Sequence, residues 1–182
     1  MLFQQKAVIL HKIKNIDTMT TLHLIQGASH CGALKIALYC VGERPYHVLY
    51  YPLPLCAQLL PHSTSQTELR RINHEHRKKY PEFRYGTELK QFFHPDLEQF
   101  NRVVVWVNTS NLNSDEQYFL QLVCRFFPAC NLYQVQYTYI DLDNSEINYP
   151  DNLKKITEEE RSHYAAQYDE ILKNGSVKTI NW

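Results

Sequence analysis

Residues 102–107, R-V-V-V-W-V, form an apolar run with one charge at its edge. A strand with one wet face alternates apolar and polar side chains. A run without alternation has both faces covered, as an inner strand of a parallel sheet does. Residues 22–26, L-H-L-I-Q, read as a second inner strand. A helix is expected after each. One spans 32–39, with Leu34 and Leu38 one turn apart and Gly42 as its stop. The other starts at the N-cap Ser114, carries Asp115 and Glu116 at the positive end of its dipole, and stops at Pro128. The pattern predicts an α/β fold: three layers, with a mainly parallel sheet and helices on both faces.

The remaining pattern fits this frame. Residues 5–10 and 46–51 read as strands, the latter stopped by Pro52. Residues 66–79 read as a helix that turns basic, and 87–100 as one or two helices broken near Pro95. Residues 132–140 read as a strand, with Tyr133, Val135, Tyr137 and Tyr139 on one face under a covering helix. Thr157 and Glu160 make a capping box for a helix closed by Gly175. The expected organisation is an N-terminal extension over 1–20, an α/β domain over 21–156, and a C-terminal helix and tail over 157–182.

Composition narrows the function. Nineteen basic residues balance nineteen acidic ones, so no overall field draws the chain to nucleic acid or anionic membrane. No apolar run nears the roughly 20 residues of a membrane helix. The A-V-I-L run is shorter than a signal-peptide core of about 7–15 residues. The five cysteines, Cys31, Cys40, Cys56, Cys124 and Cys130, include no C-x-x-C pair, which suits a reducing cytoplasm and not a disulfide framework or zinc site. His74 and His76 are two apart on a helix and diverge, and Asp141, Asp143 and Glu146 lack EF-hand order, so no metal and no cofactor are expected.

Gly27 and Gly32 have the G-x-x-x-x-G spacing of a phosphate-binding loop, but Ala33 and Leu34 stand where that loop needs Lys and Ser or Thr. What remains is a helix N-terminus that can hold an anion, with Gly27, Ser29, His30 and Gly32 as candidate ligand-loop residues and Ser29 as the expected cap. Cys31, beside His30, is the one candidate nucleophile, and a plain buried cysteine is the preferred reading.

The stretch L-H-L-I-Q-G-A-S-H-C-G-A-L-K-I-A-L resembles the opening of the bacterial domain-of-unknown-function family 1835, whose members begin close to H-I-V-F-G-D-S-A-A-G-S-L. His23, Gly27, Ser29, Gly32 and Leu34 line up with it. Trp106, Asp115 and Gln117 stand at matching places in the later strand, loop and helix. The resemblance covers about residues 21–140 and implies an α/β fold with no settled activity. It departs at Ala28, where the family has Asp, and in the apolar segment Y-P-L-P-L-C-A-Q-L-L-P-H. Set against this resemblance, the chain is expected to lack the family's usual second, C-terminal domain.

These features favour a non-catalytic, cytoplasmic protein-binding module. Thirteen tyrosines supply rigid contact area with a polar tip. The expected partner is a protein, a toxin or secreted effector blocked by an immunity protein or antitoxin. Arg70, Arg71, Arg77 and Lys78 would steer it, with Tyr80, Phe83 and Tyr85 as anchors. The alternative is a small enzyme or sensor holding a phosphorylated ligand at residues 27–32.

Overall fold

The structure, a computed structural model, describes residues 20–55, 59–82, 87–110, 118–127 and 130–174. The expected strand at 5–10, the Ser114 cap with Asp115 and Glu116, and Gln117, Phe83, Tyr85, Cys56, Pro128 and Gly175 lie outside them.

Five strands form one sheet: β1 (Thr21–Gln26), β2 (Tyr46–Tyr51), β3 (Arg102–Asn108), β4 (Leu132–Tyr137) and β5 (Lys154–Lys155), in the order β2-β1-β3-β4-β5. The first four run parallel, and β5 adds an antiparallel edge. The apolar runs behave as expected. Along β3, Val103 and Val105 point into one core, while Val104 and Trp106 point into another on the opposite face. Both faces are covered, and the fold is the three-layer α/β arrangement.

One layer contains α2 (Gln66–Lys79), α3 (Glu88–Phe93), α4 (Tyr118–Phe126) and α6 (Glu158–Asn174). Leu69, Ile72, Phe92, Phe119, Leu122 and Tyr168 from these helices bury Leu22, Leu24, Val103 and Val105. The other layer is thinner, with α1 (Ala28–Cys40), the short α5 (Tyr139–Asp143) and the chain through Tyr149. There Leu34, Leu38, Leu142 and Tyr149 cover Ile25, Val104, Trp106 and Val135. The aromatic side of β4 therefore faces inward, with Tyr137 buried against this core.

The ends of the elements follow local chemistry. Gly42, at φ 77°, closes α1: its N–H donates to the Tyr39 carbonyl at 3.2 Å and the next N–H, of Glu43, to Leu38 at 3.1 Å. The Thr157–Glu160 capping box forms in both directions, at 3.1 and 2.9 Å. The helix it starts belongs to the main core, where Tyr168 donates from its hydroxyl to the Pro61 carbonyl at 2.9 Å.

Two expectations need correction. The strand read over 132–140 stops at Tyr137, because Thr138 and Asp141 form a second capping box that turns Tyr139 and Ile140 into α5. The first helix begins at Ala28, not near Gly32, because Gly27 at φ 87° makes the whole turn from β1 by itself. Gly27 is thus the N-cap, and Ser29 lies inside the helix and does not cap it.

At the lower edge of the sheet, the starts of β1 and β3 are clamped together. Arg102 donates from Nε to Thr21 Oγ1 at 2.9 Å and from a terminal nitrogen to Glu43 at 2.7 Å and the Tyr149 hydroxyl at 2.9 Å. The Thr21 and Tyr149 hydroxyls both donate to the same Glu43 oxygen, at 3.0 and 2.9 Å. Each partner compensates another, which a mostly buried ion pair requires.

Candidate functional site

In an open α/β sheet the ligand crevice lies beyond the carboxyl ends of the strands, where successive crossovers leave to opposite faces. Here that place is between β1 and β3: α1 leaves β1 on one face, while α4 follows β3 on the other. Gly27, His30, Thr109 and Ser110 stand there.

These groups are engaged with one another. His30 Nδ1 donates to the Gln26 carbonyl at 2.8 Å, and its ring stacks on Tyr139 at 4.7 Å with Tyr137 edge-on at 6.3 Å. The Thr109 N–H donates to the Tyr137 carbonyl at 2.9 Å, and the Tyr139 N–H to Ser110 Oγ at 2.8 Å. A Cβ on Gly27 would lie 3.2 Å from His30 Nδ1, at a φ that other residues rarely adopt. Gly27 and His30 therefore make one tight corner.

The six residues Gly27 to Gly32 are not a loop. One glycine turns the chain, and 28–32 are helical, so the two glycines do not frame an anion cradle. Ser29 points to solvent, His30 is half-buried in its stack, and Cys31 is buried on the inward side. The helix thus carries the two candidate ligand residues, Ser29 and His30, and the candidate nucleophile Cys31 into three different surroundings. Burial raises the Cys31 thiol pKa above its ordinary value, against an opposing pull from Lys35. A thiol shifted this way is mostly protonated at neutral pH, the reverse of an activated nucleophile.

The basic surface of α2 is also divided. Leu69, Ile72 and His76 point into the core. Gln66, Arg70 and Asn73, spaced at i, i+4 and i+7, flank that stripe on one side and open on a groove of about 310 Å³ against α3. Arg71, Glu75 and Lys78 repeat the spacing on the other side, at a groove of about 410 Å³ beside Leu59. Arg71 is neutralised by a two-pronged bond to Glu68, at 2.8 and 2.9 Å, and Lys78 by Glu75 at 3.1 Å. The Arg71 guanidinium holds the Glu68 carboxyl down at about 2. Arg77 is exposed, and Tyr80 is half-buried with its ring 4.9 Å from His76. Arg70, Arg71, Arg77 and Lys78 share one outward arc of α2, at i, i+1, i+7 and i+8, but Glu68 and Glu75 pair with Arg71 and Lys78 and weaken its positive charge.

Sequence reasoning missed the outward side of α1. Ile36 and Tyr39 are 61% and 64% exposed, and Val41, just beyond the helix, is 42% exposed. Lys35 is the only charged residue among the thirteen of A-S-H-C-G-A-L-K-I-A-L-Y-C. Arg44 lies over the Tyr39 ring at 4.3 Å. Ile140 of α5, which packs beside α1, is 71% exposed. The signal was legible: a helix with large apolar side chains on both sides has a second face to bury.

No family model matches the chain, and no curated protein or solved structure does. Among the described residues, no group of three His, Cys, Asp or Glu gathers and no helix is long and apolar enough to cross a membrane.

Proposed function

We propose that this protein is a non-catalytic protein-binding module whose contact surface is the outward face of α1. One observation carries the reading: α1 is apolar on both sides. Leu34, Ala37 and Leu38 face the core, while Ile36 and Tyr39 face water. Covering side chains of this size contributes about 1.5–3 kcal/mol each, and exposed clusters of them mark interaction sites.

Gly32 supports the same surface. A Cβ there would meet nothing within 4 Å, so the fold has no need of a glycine in the second turn of α1. The residue costs the helix about 0.5–1 kcal/mol relative to alanine. A partner backbone approaching closely would make use of its missing side chain. The surface lies away from α2, so in this reading the contact moves from the steering cations Arg70, Arg71, Arg77 and Lys78 and the anchor Tyr80 to Ile36, Tyr39 and Val41.

In this reading the partner is blocked by occupation of a rigid, preformed face, as an immunity protein or antitoxin in the cytoplasm blocks a toxin or effector. The chain would be a relative of family 1835, keeping the buried His23 and Trp106 while carrying Ala28 in place of an acid.

The test is a pull-down from the native host with partner identification, repeated with Ile36→Glu and Tyr39→Asp on α1 and Arg77→Glu and Lys78→Glu on α2. Circular dichroism verifies that each variant is folded. The α1 variants are expected to lose the partner and the α2 variants to keep it. Retention by the α1 variants with loss by the α2 variants would return the surface to α2.

A further inference from the structure

The groove between α2 and α3 is lined by Gln66, Arg70 and Asn73 from one helix, and by Thr87, Lys90 and His94 from the other helix and its flanks, over a floor of Leu69 and Leu89. We infer that it binds a small dianion of the phosphate-monoester or dicarboxylate class.

The charge balance carries the inference. Among the described residues no carboxylate lines the groove; Glu88, in the first turn of α3, is not among its walls. Among the described residues, neither Arg70 nor Lys90 has an ion-pair partner. The groove on the other flank of α2 shows what compensation looks like: of its three cations, Arg71 and Lys78 are each held by a glutamate one turn away, and only Lys79 has no ion-pair partner among the described residues. Two uncompensated cations facing one concavity repel each other, and a dianion removes that repulsion while matching their charge.

The shape agrees. A volume of about 310 Å³ is at the small end of the range for ligand sites. The Arg70 guanidinium offers a fork that takes two oxygens of one phosphate or carboxylate, and Lys90 supplies a point charge. Gln66, Asn73 and Thr87 add polar side chains to the walls. The far end is fixed, because His94 Nε2 donates to the Thr64 carbonyl at 3.0 Å and ties the end of α3 to the start of α2. The groove belongs to the layer opposite α1, so it stands or falls independently of the proposed partner surface.

The test is an amide NMR titration of the full chain at low ionic strength. Inorganic phosphate is one arm, succinate a second, and sodium chloride of matched ionic strength the control. Phosphate or succinate is expected to shift the amides of Arg70, Asn73 and Lys90 saturably, while chloride does not. Arg70→Gln and Lys90→Gln change exposed side chains and should each weaken binding at least tenfold. Ile36→Glu, on the other face, should bind as the unmodified chain does. No saturable shift with either anion, or unchanged affinity in both groove variants, would overturn the inference.

Discussion

Trp106 Nε1 donates a hydrogen bond to His23 Nδ1 at 3.0 Å, joining two strands whose partners are 83 positions apart. The bond fixes the tautomer. Because Nδ1 accepts, Nε2 carries the proton, and that group is buried among the rings of Tyr46, Trp106 and Tyr149 with no hydrogen-bond partner among the described residues. A second proton on this ring would have to displace the indole bond in a dry interior.

Burial, with a smaller push from the Arg102 charge, lowers the His23 pKa from 6.5 to about 3. The unfolded chain takes up a proton near pH 6.5, and the folded chain does so only near 3. The stability that His23 contributes is full above 6.5 and falls as the pH drops through that window, by up to about 1.4 kcal/mol per pH unit. Urea unfolding should therefore show about 2 kcal/mol less stability at pH 5 than at pH 7. His23→Gln should flatten that dependence, whatever its own stability at pH 7; an equally steep profile in the variant would remove His23 as the cause.

Gly32→Ala should raise stability by about 0.5–1 kcal/mol, because the new methyl enters open space and the helix gains propensity. The same substitution should weaken capture of the partner if α1 is the contact surface. Thermal melts and the pull-down read the two effects separately. A destabilised variant would show that the methyl meets something in the fold after all.

The thiols should rank by exposure. Cys40 is exposed, while Cys31 and Cys124 are buried, and burial raises Cys124 to about 12. A thiol reagent at pH 8, followed by peptide mapping, should label Cys40 in the native chain and reach Cys31 and Cys124 only after unfolding. Rapid native labelling of Cys31 would restore it as a candidate nucleophile.

Much of this molecule is determined within short windows of sequence. The near-continuous apolar runs at β1 and β3 are satisfied by cover on both faces, and that requirement is a property of the runs themselves. Gly42 and the Thr157–Glu160 box act through backbone groups a few residues away. The Thr138–Asp141 box was equally local and equally readable, but the alternation of L-Y-Q-V-Q-Y-T-Y-I continued past it and masked the stop.

Tertiary structure decided what local rules do not reach. Whether Gly27 opens a loop or makes a one-residue turn depends on how α1 must lie on the sheet, and the His30 ring fills the space that a side chain at Gly27 would need. Whether a cation is free depends on which carboxylate its own side of the helix presents, and this separates Arg70 from its neighbour Arg71. The sequence determined that α1 carries large apolar side chains on both of its sides. Only packing decided that Leu34 and Leu38 would be covered while Ile36 and Tyr39 stayed in water, because a sheet can bury one side of a helix and the other side waits for whatever the chain does not itself supply.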